Sequence, residues 1–443
     1  MSSVILNSNQ KSAFIATAKA SESAYIPNVY STMPIVTPYA MTTDRLVPTN
    51  GATPVSGRTT TFTISKYGIV SQLILSFDKT ITQTSGAGND VGSPVLPPLD
   101  WFNCVEKVEL LSSSRTVSIL TAQDILAQFS NLPNDKLIPL LPACLSEVPF
   151  ANARSDGSGA GGALAGTNQS CTFENRSCIL RFGFMATEAT QLAANFLEPL
   201  TVRVTWNNLT ALGTALVAPV TANISLANPT LMVRYKTYPE ESFSKILAEN
   251  YNAPTLNMLS SRFEDENRAS VTVVAGDNKV KVDLKNTEAV QDFYCVLLKE
   301  DAVGSGVLDM KPYPIKNVLF KGSGQDIINQ NSNELSFAKI CDDGFSIGQN
   351  EVADGTDLIN IKKIQTGVYS DDQMLTNTLS LRQINGGYIE VDFNLPATVV
   401  DAGGATVANP DIGKAFYLYI CENCSTIYSV SSSTGSLTQS LSN

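Results

Sequence analysis

WFNCVEKVELLSSSRTVSILTAQDILAQFSNLP, residues 101–133, reads as strand, tight turn, strand and helix. Cys104, Val105, Val108, Leu110 and Leu111 make an apolar run with polar interruptions. Ser112, Ser113 and Ser114 supply a turn, and Thr116–Leu120 returns as a second strand. Thr121 is placed to cap a helix whose apolar positions Ile125, Leu126 and Phe129 share one face. Asp124, at the third helical position, favours the positive end of that helix, and Pro133 ends it.

The surroundings of this stretch are those of a β protein. The 443 residues suffice for two domains of about 200 residues, each burying roughly 70% of its unfolded surface. Charged residues make up 16% and hydrophobic ones 43%, with abundant Ser, Thr, Asn, Gly and Pro, a balance that favours short strands and many turns. The net charge of −11 and the lack of any Lys/Arg cluster argue against sequence-specific or phosphate-driven nucleic-acid binding. Histidine is absent, which removes Ser-His-Asp hydrolysis, Cys-His proteolysis, His-ligated metals and His proton relays.

Outward from residues 101–133, the chain alternates strands and turns. Residues 1–57 read as an arm: a small apolar patch at Val4–Leu6, a short helix over Phe14–Ala20, then Pro27, Pro34, Pro38, Pro48 and Pro54. From Arg58, TTTFTIS places Phe62 and Ile64 on one face, and Ile69–Phe77 places Leu73, Leu75 and Phe77 in step. Gly86–Gly92 is a loop. Cys178–Met185 and Leu200–Trp206 alternate again around a short helix at Thr187–Phe196. Leu231–Tyr235 is a strand, and Pro239 opens a helix over Glu240–Asn250, with a domain boundary near Ala248–Leu259. The second half repeats this grammar: strands at Ala269–Val274, Lys279–Leu284, Phe293–Leu298, Ile315–Lys321, Tyr388–Phe393, Ala415–Cys421 and Thr426–Val430 are separated by Gly- and Asn-containing turns. A chain with so little helix is an all-β sandwich protein and not an α/β sheet.

Several patterns invite chemistry and fall short of it. Arg154–Gly166 is rich in Gly but has no GK[ST] ending and no neighbouring Lys, so it reads as an exposed loop and not as a phosphate cradle. Cys421-Glu-Asn-Cys424 is the one CxxC among eight cysteines; with no second pair and no His, structural thiols are expected. Glu264-Asp265-Glu266, Asp342-Asp343 and Asp371-Asp372 lack calcium-loop spacing and read as solvated loop carboxylates. Trp101 and Trp206 sit in strand-like segments, where packing is expected over sugar stacking. Sequons begin at Asn168, Asn175, Asn208, Asn223 and Asn423, but the amino terminus has no secretory pattern, so synthesis inside the cell is expected. No stretch reaches the ~18 apolar residues of a membrane span. No catalytic, cofactor-binding or metal residue is assigned.

The hairpin and helix of residues 101–133, the strand-then-acidic-helix at residues 231–250 and the strand with a Gly-containing tail, CSTIYSVSSSTGSLTQSLSN, together resemble the double jelly-roll major capsid proteins of tailless double-stranded DNA viruses: large eukaryotic DNA viruses, virophages and polinton-like viruses. That resemblance implies two tandem jelly-roll β-sandwiches with short helices in the connecting loops: an arm over 1–57, a first jelly roll over 58–250, and a second jelly roll with tail over 251–443. It also implies a non-enzymatic structural protein, assembling as homotrimers of pseudo-hexameric outline that tile an icosahedral virion shell. Its partners would be further copies, neighbouring capsomers, minor capsid and penton proteins. The arm would lie on the inner face, against an internal membrane in particles that have one. The second reading of the same composition is a β-sandwich carbohydrate-binding or adhesin protein with glycosidase activity.

Overall fold

The computed structural model describes residues 40–84, 100–130, 168–183, 198–209, 221–237, 255–285, 289–300, 303–304, 308–335, 360–365, 379–384, 386–400, 406–431, 434 and 436–441. The expected helices at 14–20, 187–196 and 240–250, the loops at 86–92 and 154–166, and the carboxylate pairs at 342–343 and 371–372 lie outside these residues.

Residues 101–133 open with a helical turn, α1 (Asp100–Cys104), which holds Trp101 where a strand was expected. Strands β4 (Val105–Ser112) and β5 (Arg115–Thr121) follow as a hairpin, then helix α2 (Ala122–Ser130). The cap is reciprocal: Asp124 N donates to Thr121 Oγ1 at 3.2 Å while Thr121 N donates to Asp124 Oδ2 at 3.0 Å. This is a capping box with Asp in place of Glu, satisfying amides that the helix start would otherwise leave without acceptors.

The first half contributes β1 (Ala40–Leu46), β2 (Thr59–Thr63), β3 (Ile69–Thr84), β6 (Asn168–Leu180), β7 (Leu200–Trp206) and β8 (Thr221–Thr237) besides the hairpin. They form two antiparallel sheets, β1-β8-β3-β6 and β2-β7-β4-β5. The second half contributes β9 (Thr255–Thr272), β10 (Gly276–Asp283), β11 (Ala289–Glu300), β12 (Leu308–Asp309), β13 (Asn317–Gly322), β14 (Gln325–Asn331), β15 (Lys362–Gln365), β16 (Leu379–Ser380), β17 (Tyr388–Leu395), β18 (Thr398–Val400), β19 (Thr406–Ala408), β20 (Ala415–Ser431) and β21 (Leu437–Leu441). Its main sheets run β10-β17-β13-β14 and β9-β20-β11-β15.

Renumbered within each half by their principal strands, both halves have the orders 1-8-3-6 and 2-7-4-5. Two four-stranded sheets of this order make an eight-stranded jelly roll, so the chain is all-β with two tandem jelly-roll sandwiches. Alternation builds each core. Phe62, Leu73, Leu75, Val202, Val204, Leu231 and Val233 converge in the first, and Val280, Phe293, Leu297, Val318, Val391, Phe393 and Leu418 in the second. Complete burial of such a side chain stabilises by roughly 1.5–3 kcal/mol relative to exposure. Turns are fitted to their strands. Ser323 and Gly324 both have positive φ, 51° and 79°, matching a two-residue type I′ turn between β13 and β14. At Gly68, φ is 64° and a Cβ would lie 2.9 Å from the Lys236 carbonyl oxygen.

Several boundaries differ from the sequence expectation. β1 falls within the span read as an arm, yet it pairs along its whole length with β8 at the sheet edge. Its polar, Thr-rich sequence suits an edge with one solvated face, which is why it carries little strand signal. β6 starts at Asn168, ten residues before Cys178, and ends at Leu180, because a Ser/Thr/Asn-rich strand pairs through its backbone without apolar alternation. β8 likewise runs from Thr221 and not only from Leu231. The expected pair Ala415–Cys421 and Thr426–Val430 is one 17-residue strand, β20. The tail returns as β21 beside it. Glu264–Glu266 belongs to strand β9 and not to a loop.

Candidate functional site: the seam between the two sandwiches

The second sandwich's sheet β9-β20-β11-β15 is apolar on both faces. Phe293, Cys295 and Leu297 of β11, with Phe416, Leu418 and Ile420 of β20, point into the second core. Their alternates, Tyr294, Val296 and Leu298 with Tyr419 and Cys421, join the core of the first sandwich. A strand side chain changes face at every residue, so a sheet buried on both sides reads as a continuous apolar run, as in FYCVLL at 293–298.

What covers the outer face of that sheet is the β5–α2 segment of the first sandwich. Helix α2 contacts β20, β9 and β11, and β5 contacts β9 and β21. All residues of α2 except Gln123 are buried, which is why its capping box and amphipathic face coexist with a nearly apolar surround. Two hydrogen bonds fasten the seam: Met310 N donates to Asn103 Oδ1 at 3.3 Å, and Leu437 N donates to Ser112 Oγ at 3.2 Å. Gln128 Nε2 donates to the Arg181 carbonyl at 2.9 Å, tying α2 to the end of β6.

Charge is also buried here. Lys363 Nζ stands 3.7 Å from Asp292 Oδ1, and Asn423 Nδ2 donates to Asp292 Oδ2 at 3.3 Å, so the carboxylate is compensated from both neighbouring strands. On the other face of β15, paired with Cys295 on the side of the second core, burial lowers the Lys362 amine to about 8. Lys79, fully buried in the first core, is also pushed down by burial, against the opposing influence of Cys104.

The residues singled out from sequence are dispersed by the fold. Cys421 and Cys424 face different cores and are unbridged, because three positions along a strand place side chains on opposite faces. Trp101 and Trp206 are fully buried; Trp206 Nε1 donates to Thr60 Oγ1 at 2.7 Å, and Phe77 packs near both indoles. Asn423 is buried with its amide bonded to Gln291 and Asp292, whereas Asn175 and Asn208 are exposed. Among the described residues no group of three or more His, Cys, Asp or Glu could hold a metal ion, and no helix is long and apolar enough to cross a membrane.

No protein-family sequence model matches the chain, and no curated protein matches it in sequence. Solved structures do match. PBCV-1 VP54, in the crystal structure fitted into a cryo-EM reconstruction of the virophage Sputnik, superposes with a TM-score of 0.60 at 10% identity, over 92% of this chain and 98% of that one. The Faustovirus major capsid protein gives 0.58 at 10% identity, over 95% and 97%. The mavirus major capsid protein gives 0.55 at 12% identity, over 95% and 93%. The chain has the double jelly-roll fold.

In this double jelly-roll chain the seam residues Asn103, Ser112, Tyr294, Met310 and Leu437 carried no local signal, since each acts through a partner from the other sandwich. The one usable clue was FYCVLL itself, whose unbroken apolarity demands cover on two sides.

Proposed function

We propose that the chain is a major capsid protein. Its two jelly rolls, divided near residue 250 with the segment ahead of β1 as an arm, form one subunit of a trimeric, pseudo-hexameric capsomer in an icosahedral virion shell. The observation that carries this reading is the reciprocal coverage of the match. More than nine-tenths of this chain superposes on more than nine-tenths of the Faustovirus and mavirus capsid proteins. The protein acts by assembly and not by catalysis, and its partners are copies of itself, with minor capsid and penton proteins at special positions. A carbohydrate-binding role loses its motive with both indoles in the core.

Six lobes in a ring of three subunits give a nearly hexagonal outline, and closed cyclic symmetry is the common outcome for soluble homo-oligomers. Native mass spectrometry of the recombinant protein, with electron microscopy of the same sample, tests this. A stable trimer and hexagonally packed lattices or particles are expected; a monomer or dimer persisting at high concentration overturns the capsomer.

A further inference from the structure

We propose that Asp292 and Lys363 condense within the folded chain into an isopeptide bond that staples strand β15 to β11. This is a modification site formed once per chain, and it does not depend on the capsid reading.

Three strands build the pair. Lys363 lies opposite Tyr294 in the β11–β15 ladder, which makes it the diagonal neighbour of Asp292 on the same face, and its amine stands 3.7 Å from Asp292 Oδ1. On its other side Asp292 is opposite Asn423 of β20, where the ladder slips between Val290 and Asp292. Such a bulge re-aims side chains. Here it brings two consecutive residues to one amide: Asn423 Nδ2 donates to Gln291 Oε1 at 3.2 Å and to Asp292 Oδ2 at 3.3 Å. One carboxyl oxygen therefore faces the amine and the other faces a fixed donor.

Dryness sets this pair apart from exposed ion pairs. The Lys363 and Asp292 side chains keep 3% and 0% of their exposure, against 25% and 13% for Lys299 with Asp411 and 63% and 24% for Lys279 with Glu390. Buried Tyr294 and Cys421 flank it on the face turned to the first sandwich. In water an ammonium and a carboxylate do not condense, because the amine has no free electron pair; removal from water is what activates a lysine. Within the pair one proton passes from Nζ to Oδ1, leaving an amine and an acid and relieving the site of two charges.

The amine's electron pair then attacks Asp292 Cγ. Negative charge grows on Oδ2, where Asn423 Nδ2 is already placed to receive it. The bond from Cγ to Oδ1 breaks, and that hydroxyl leaves as water with a second proton from Nζ. Acid and amine give amide and water, with no oxidant, cofactor or second substrate. Fixed orientation replaces the encounter. The amine has to close roughly 2 Å to reach the ~1.33 Å of an amide C–N bond, a movement its flexible four-carbon stem allows. The product pins β15, a strand of four residues paired with β11, by a link that reducing agents do not cut.

Intact-mass spectrometry of the denatured full-length protein, with peptide mapping, tests the bond. Folded wild type is expected to weigh one water less than its sequence and to yield a branched peptide joining the segments that carry Asp292 and Lys363. Lys363→Arg should restore the full mass. Asn423→Ala should slow the loss of water during refolding roughly a hundredfold, whereas a purely structural Asn423 would leave that rate unchanged in the protein that folds. Folded wild type that keeps its full sequence mass after prolonged incubation overturns the proposal. So does a loss of water that persists in Lys363→Arg, or one that gives no branched peptide. Because wild type alone supplies the mass and the branched peptide, a variant that misfolds leaves the decision intact, and either result leaves the capsid reading standing.

Discussion

The backbone amide of Leu437 donates a hydrogen bond to Oγ of Ser112 across 325 residues of chain, with both residues buried. Ser112 ends β4 at the hairpin turn of the first sandwich, and Leu437 begins the last strand of the second. Ser112→Ala leaves that amide without its acceptor in a dry seam, a loss of about 1–3 kcal/mol. Urea unfolding followed by tryptophan fluorescence is the readout, since both tryptophans lie in the first core. An unchanged midpoint would mean the seam does not depend on this bond.

A second cross-strand bond has a sharper signature. Thr60 Oγ1 accepts from Trp206 Nε1 at 2.7 Å and donates to the Gly51 carbonyl at 2.8 Å, so one hydroxyl links β7, β2 and the loop before it. Trp206→Phe should cost about 1–3 kcal/mol, because the Thr60 hydroxyl keeps its Gly51 acceptor but loses its indole donor. Trp206→Ala should cost about 3–5 kcal/mol by adding a cavity beside Phe77. In a double-mutant cycle, Thr60→Val with Trp206→Phe should cost less than the sum of the two, because either change removes the same bond; strict additivity would refute the relay.

These bonds show where sequence reading succeeds and where it stops. Thr121 and Asp124 are three residues apart, so their capping box is written in adjacent letters and can be read directly. Leu73, Leu75 and Phe77 announce a strand by alternation because one face is dry and the other is not. β1 and the first ten residues of β6 lack that contrast, and their pairing rests on backbone bonds that any residue but proline can make. The repeat of strand order between the halves is invisible for the same reason: topology is kept by pairing partners far apart in sequence. The seam depends on Asn103 meeting Met310 and Ser112 meeting Leu437, and only the folded chain brings these together.

Thiol chemistry should follow burial. Cys104, Cys178, Cys295, Cys421 and Cys424 are buried and unbridged, and burial pushes the Cys295 thiol up to about 12 and that of Cys104 upward as well. A thiol held in its neutral form inside a core is a poor nucleophile. Treatment of the native protein with a maleimide at pH 8, followed by peptide mapping, should leave these five unlabelled, and denaturant should expose them all. Reducing agent should not lower the melting temperature. Rapid native labelling at Cys421 or Cys424 would contradict the placement of β20 between two cores.

The pH dependence of stability should carry the mark of Lys362. Burial lowers its amine to about 8, against a value near ~10.4 in an unfolded chain. Between these two values the unfolded state binds more protons than the folded one, so stability rises with pH across that window. Below about 8 both states carry the charge, and the folded state bears the full cost of keeping it out of water. Lys362→Met removes the charge; it should be more stable than wild type at pH 7.5, with an advantage that shrinks steadily towards pH 10. Lys362→Arg keeps a charge that cannot be released in this range, so it should be no more stable than wild type at pH 7.5 and should fall progressively behind it as the lysine deprotonates. Urea unfolding of the three proteins at pH 7.5, 8.5 and 9.5 separates these cases. A stability difference between wild type and Lys362→Met that stays constant across the three pH values would show that the amine keeps its proton throughout, and that its surroundings offset its desolvation.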